Sequence, residues 1–273
     1  MNEQHLQVAI TAAKAGAAEL MARRDQRVVQ EKAPKDLVTD ADLASQQAIR
    51  AILLEAFEGY AFVGEEEGEN EPLDSVRRGT ADAPPCWVVD PLDGTVNYVH
   101  SLQSFAVSIA LYAEGKMRLG VIYDPVTDEM FTAIDGAGAK CNNQPIHTSD
   151  CTDLSEALVA CSFPAGVKGG DPEVTRFVRV VEHCQSLRRL GSCALNMCYV
   201  AAGRLDAYWA TSVAAWDSAA GTVIAREAGA VLTAYDGSPL DDWIPKFCVS
   251  ATERVHQAMI PLLCDPVVMN ADR

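Results

Sequence analysis

A mixed α/β fold follows from three features of the sequence. Apolar stripes at helical spacing open and close the chain, a run of β-branched and aromatic segments separated by turn residues fills its middle, and the second half alternates helical with extended patterns. At 273 residues, 49% hydrophobic and 22% charged, the chain can build one large core or two halves sharing a sheet system.

Taken in order, Leu6, Ile10, Ala13, Ala17 and Leu20 predict an amphipathic helix over residues 3 to about 24. Residues 31 to 42 read as a polar loop in which Thr39 or Asp40 caps a second helix carrying Ile49, Ile52, Leu53, Ala56 and Phe57 on one face. Tyr60 to Val63 reads as a buried strand running into Gly64-Glu65-Glu66-Glu67, so Glu65 falls at a strand end. Residues 68 to 85, polar and rich in Gly and Pro, are expected to form a mobile surface loop. Strands over 105–112, 119–123 and 129–134, divided by turns at 114–116 and 124–128, predict an antiparallel meander, and 136–146 a hairpin. After a strand at 157–161, the Gly/Pro-rich loop 163–172 marks the best internal boundary. Beyond it the pattern predicts helices over 173–183, 193–202, 216 to about 228 and 252–263, with extended segments at 187–190, 206–210, 230–233 and 247–250. The last ten residues read as a frayed end.

Charge and cysteine content narrow the function classes. A formal charge of -16, with no basic run, argues against nucleic acid as the partner. The nine cysteines are scattered and never spaced C-x-x-C, as for small buried residues in a reducing compartment. The first residues lack a basic stretch followed by an apolar one, and no apolar run is long enough to span a bilayer. A cytoplasmic protein with no membrane partner is therefore expected.

The stretch 87 to 100, WVVDPLDGTVNYVH, concentrates the chemistry. Pro91 cannot donate to a sheet ladder, so the strand beginning at Trp87 is expected to end at Asp90. Asp90 and Asp93 then stand beside Gly94 and Thr95, whose turn can present free N–H groups to an anion. Two carboxylates next to an anion cradle suit a magnesium-bridged phosphate ester. The same run also fits an ordinary strand-to-turn transition, as Asp40 and Asp42 fit helix capping and Asp217 fits a plain N-cap. Other catalytic patterns are excluded: there is no G-x-S-x-G, H-E-x-x-H or G-x-x-x-x-G-K-[ST], and residues 171–182 have Arg176 where an EF-hand needs Gly.

Together, D-L-V-T-x-A-D at 36–42, Gly64-Glu65-Glu66, W-V-V-D-P-L-D-G-T at 87–95 and Trp216-Asp217 before a Gly-containing helix resemble the inositol monophosphatase family. The four motifs cover nearly the whole chain in the family's order and spacing. The resemblance implies an alternating α-β-α-β-α sandwich of the inositol monophosphatase and fructose-1,6-bisphosphatase type. It would be a single domain, with a metal-binding half over about 1–162 and an α/β half over about 163–273. It further implies a homodimer and a magnesium-dependent, lithium-sensitive phosphomonoesterase. Carried over by position, Glu65, Asp90 and the Leu92 carbonyl hold a first Mg2+, Asp90, Asp93 and Asp217 a second, and Glu65 shares a weaker third; Mn2+ or Ca2+ could substitute. The phosphate of a small ester sits on Gly94 and Thr95, and Thr95 paired with Asp42 assists a metal-activated water. Asp93, Cys193, Ala210 and Asp217 contact the substrate. Here the chain departs from its family, because Ala210 stands where family members gripping myo-inositol carry a Glu. The substrate is then inositol monophosphate or a related polyol or sugar phosphate, with histidinol phosphate, fructose 1,6-bisphosphate or a 3'-phosphonucleotide as same-superfamily alternatives. A non-catalytic regulatory protein on the same fold is the remaining alternative.

Overall fold

The computed structural model describes residues 1–33, 36–67, 83–164 and 166–264. The expected mobile loop and frayed C-terminus lie largely outside these residues. Two sheets and three helical layers alternate through the molecule, because every sheet face is apolar and needs a cover.

The outer helices α1 (Glu3–Arg23) and α2 (Asp40–Ala56) pack on one face of a seven-stranded sheet. Its strands are β3 (Ala61–Gly64), β4 (Cys86–Asp93), β5 (Ala106–Ala113), β6 (Lys116–Asp124), β7 (Glu129–Ile134), β8 (Ala139–Cys141) and β9 (Gln144–Pro145), in that order across the sheet. Strand alternation divides β4 between two cores: Trp87 and Val89 meet α1 and α2, while Cys86 and Val88 turn to the opposite layer. β5 is buried along its whole length, as its unbroken apolar run requires when both faces are covered.

That opposite layer consists of α5 (Cys193–Ala201) and α6 (Ala215–Glu227), which lie between the two sheets. The second sheet has the order β11-β10-β12-β14-β13, built from β10 (Leu158–Ser162), β11 (Ser186–Arg188), β12 (Ala207–Ala210), β13 (Val231–Ala234) and β14 (Phe247–Ser250). Tyr208 and Ala210 of β12 face the central helices, and Ala207 and Trp209 face α4 (Pro172–Val181) and α7 (Glu253–Leu263) on the outside. The α-β-α-β-α sandwich is thus present. β10, which precedes the Gly/Pro-rich loop, pairs within the second sheet. α5 and α6 stay close to the first sheet because the facing residues are small. A Cβ on Gly120 of β6 would stand 2.3 Å from the Ala220 carbonyl oxygen of α6.

Two expectations need correction. Residues 31–42 are not simply a loop: β1 (Val29–Ala33) and β2 (Asp36–Thr39) pair antiparallel, Val29 opposite Thr39, and β2 leads straight into α2. Pairing satisfies backbone groups that a polar loop would leave to water, and it fixes where Thr39 caps the helix. Strand β4 also does not end at Asp90 but continues to Asp93 through a register shift between Asp90 and Asp93. Pro91 falls inside that irregularity, where the ladder asks no donor of it. All nine cysteines are free thiols, and no helix among the described residues is long and apolar enough to cross a membrane.

Candidate active site

The bulge of β4 decides where the acidic side chains point. Asp90 is buried at its start and accepts the Leu92 N–H at 3.0 Å, while Ser45 of α2 donates to the Pro91 carbonyl at 3.0 Å and pins the bulge from the helical side. Gly94 follows at φ +95°, a left-handed conformation that strains other residues, and a Cβ there would stand 2.9 Å from the Ser104 carbonyl oxygen. The chain can then start the short helix α3 (Thr95–Val99) at once. This is the strand, turn and helical opening expected of the stretch, displaced to the far side of the bulge.

A cavity of about 230 Å³ opens at this turn, lined among others by Glu65, Asp90, Leu92, Asp93, Gly94, Thr95, Cys193 and Asp217. Glu65 arrives on a 3-10 turn directly after β3, which runs parallel to β4, so the two strands deliver carboxylates at neighbouring ends. Asp217 comes from the first turn of α6 and accepts the Ala214 N–H at 2.8 Å. Asp93 binds the start of α5: it accepts the Cys193 N–H at 3.1 Å, the Ala194 N–H at 2.8 Å and the Ser192 hydroxyl. The first sheet, through this one carboxylate, grips the central helical layer.

Thr95 and Asp42 also meet. Asp42 is buried in the capping box of α2, accepting the Thr39 N–H at 2.9 Å and the Thr39 hydroxyl at 2.5 Å. Its other oxygen lies 3.5 Å from the Thr95 hydroxyl, which is 3.1 Å from the Leu92 carbonyl. With one proton to donate, Thr95 favours Leu92 here, and the longer contact to Asp42 is the alternative. Asp42 can therefore cap α2 and face the Thr95 hydroxyl at the same time.

The electrostatics follow from burial and crowding. Burial, then the charges of Glu65, Asp217 and Asp93, hold the Asp90 carboxyl well above the usual carboxylate range. Burial and the neighbouring Asp93 and Glu65 push Asp217 up to about 8. Burial raises Asp93 to about 6 against the pull of its bonds to Ser192, Ala194 and Cys193, and raises Asp42 to about 6 against those from Thr39. Among the described residues no three acidic, His or Cys side chains are gathered around one point as a bound metal would gather them. Asp90, Asp93 and Asp217 each accept at least one backbone N–H, which offers partial positive charge to crowded carboxylates. Their chemistry fits a hard cation, since every donor is oxygen and Asp90, Asp93 and Asp217 are destabilised as anions until positive charge arrives.

Of the residues expected at the site, Glu65, Asp90, Leu92, Asp93, Gly94, Thr95, Cys193 and Asp217 line the cavity, and Asp42 stands behind Thr95. Ala210 does not reach it. It is fully buried at the end of β12, packed with Cys193, Tyr208 and Phe247, and its partner across the sheet, Ser162, lines the cavity instead. Sequence reading also passed over Phe163, Arg189, Gly191 and Val213 in the lining. The Gly/Pro-rich composition marked Phe163 only as the start of a loop, and Arg189 gave no pattern beyond an extended segment before a helix.

The model of the inositol monophosphatase family matches residues 1–266 of this chain. The chain belongs to the inositol monophosphatase family. Among curated family relatives, the Nus factor SuhB of Pasteurella multocida is 39% identical over 236 residues, covering 85% of each chain. The inositol-1-monophosphatase of Mesorhizobium japonicum is 39% identical over 238 residues, covering 86% of each. Among solved inositol monophosphatase folds, the extragenic suppressor protein suhB of Bartonella henselae superposes with a TM-score of 0.85 at 33% identity, over 96% of this chain and 99% of that one.

Proposed function

We propose that this protein is a magnesium-dependent phosphomonoesterase for a small polyol, sugar or related phosphate. Glu65, Asp90, the Leu92 carbonyl, Asp93 and Asp217 would hold two or three cations. The observation that carries the reading is one cavity lined by four carboxylates from three separate stretches of chain, beside the Gly94–Thr95 turn. Magnesium, when bound, would supply the positive charge that favours ionisation of an attacking water and departure of the alcohol.

The remaining work falls to this chain's own groups. The N–H groups of Gly94 and Thr95 receive the phosphoryl oxygens. The Thr95 hydroxyl takes a proton from the attacking water while passing its own toward Asp42. With its pKa raised to about 6, Asp42 is mostly ionised at neutral pH and remains basic enough to accept that proton. Besides its place among the cation ligands, Asp93 accepts the Cys193 and Ala194 N–H groups and so holds the start of α5 against the turn. By the same family likeness we assign a cytoplasmic homodimer.

Phosphate release from inositol 1-phosphate, histidinol phosphate, fructose 1,6-bisphosphate and a 3'-phosphonucleotide tests the proposal. Release from at least one, dependent on magnesium and lowered by lithium, is expected. No release from any of them would sink it and favour a second reading, suggested by the relatives named Nus factor SuhB, in which the chain serves as such a factor rather than as a hydrolase.

A further inference from the structure

The cavity lining holds four carboxylates and, among the described residues, one cation, Arg189. Arg189 forms no ion pair with those carboxylates among the described residues. Its guanidinium lies 4.4 Å from the Phe163 ring centroid, and its Nη2 donates to the Phe163 carbonyl at 3.0 Å. Stacking and one hydrogen bond hold the plane of the fork while leaving most of its five donors unused. The backbone beside it is also fixed: Asn97 of α3 donates to the Leu190 carbonyl at 2.7 Å, tying this segment to the phosphate-binding turn. Arg189 lines the cavity together with Ser162, which brings only a hydroxyl to that wall.

We propose that Arg189, stacked on Phe163, is a specificity residue that receives a second anionic group of the substrate. The preferred ester then carries a carboxylate or a further phosphate on its alcohol portion. The inference rests on the phosphatase reading above and deepens it. A neutral polyol would leave the guanidinium unmatched, whereas an anionic alcohol portion needs a positive charge to enter a cavity lined by acids. A planar carboxylate or phosphate accepts the remaining N–H donors in parallel, which a hydroxyl cannot do.

Two matched substrate pairs test the assignment: glycerol 3-phosphate against 3-phosphoglycerate, and fructose 1-phosphate against fructose 1,6-bisphosphate. The first pair reports a carboxylate and the second a phosphate. Each is measured with magnesium on the wild type, Arg189→Met and Arg189→Lys. We expect the wild type to favour the member with the extra anion in at least one pair by about tenfold in kcat/KM, mainly through KM. That preference falls to about one in Arg189→Met, recovers in part in Arg189→Lys, and shrinks as potassium chloride is raised. Because it is a ratio, partial misfolding of a variant does not distort it. Equal preference in wild type and Arg189→Met overturns the assignment and leaves the phosphatase reading standing. Failure of all four esters while inositol 1-phosphate is hydrolysed overturns the assignment too, and only failure of inositol 1-phosphate and the other esters named above as well removes the phosphatase reading.

Discussion

On the proposed reading, Asp42 holds a structural and a chemical place together. Asp42 closes the capping box of α2 with one oxygen and faces the Thr95 hydroxyl with the other. Thr95→Ala removes the relay to Asp42 without touching the cap, so turnover should fall by about 10²–10⁴-fold while the melting temperature stays within a degree or two. Steady-state rates and a thermal melt on the same sample check both halves; a fully active Thr95→Ala enzyme would place the base elsewhere. The pH profile gives a second handle. Burial raises Asp42 to about 6 in the metal-free protein and nearby magnesium would lower it, so kcat at saturating magnesium should drop on the acid side, at or below pH about 6, where protonation removes the proton acceptor. These residues were legible in the sequence because each sits in a motif whose chemistry requires it. Arg189 and Phe163 were not, since a stacked pair from two different segments leaves no periodic or spacing signal.

Among the elements, β4 and its bulge carry most of the design. Reading Pro91 as a strand terminator was sound local chemistry, but a bulge also accommodates a residue without a donor, and the sequence offers no sign of which occurs. The bulge matters because it places Asp90 and Asp93 toward one cavity although they are three residues apart, an odd separation that would send them to opposite faces of a regular strand. The β1–β2 pair went unread for a related reason: its strands are short and polar, and only the neighbouring segment makes them a ladder. The amphipathic helices and the meander were legible because each buries an apolar face that the period reveals. Close contact between β6 and α6 depends on Gly120. Gly120→Ala would drive a methyl group into the Ala220 carbonyl and push α6 outward, and Asp217 with it. We expect a loss of about 1–3 kcal/mol in urea unfolding, accompanied by weaker magnesium binding. Unfolding at the wild-type midpoint would show that the layer yields without cost.

At the scale of the whole molecule, the sandwich brings together charges that none of its layers would tolerate alone. Carboxylates enter from the strand ends of one sheet and from the N-terminal turn of a helix in the central layer. Asp90, Asp93 and Asp217 are acids whose pKa is raised by folding, Asp217 to about 8. Such a group keeps its proton in the folded state over a pH range where the unfolded chain has already lost it. The metal-free protein should therefore lose stability as pH climbs from about 4 toward 8, the reverse of a protein held by salt-bridged carboxylates. Asp217→Asn should flatten that slope, and millimolar magnesium should offset it in the wild type but less in the variant. Thermal melts across pH, with and without the metal, measure this; a wild-type slope unchanged by either would contradict it.

The family and the layered fold were readable from four motifs, and the acids that those motifs name line one cavity. The alcohol portion of the proposed substrate was not, because the wall it would meet is assembled from β10, the segment before α5 and the loop before α6. Whether the buried acids constitute a cation-dependent hydrolytic site is measured most directly by the rate of phosphate release as a function of magnesium, in wild type and Asp90→Asn. The wild type should release phosphate in proportion to bound magnesium and fall silent in EDTA, and Asp90→Asn should stay near background at every magnesium concentration. A wild-type rate indifferent to EDTA, or an Asp90→Asn curve that overlays it, would contradict the account.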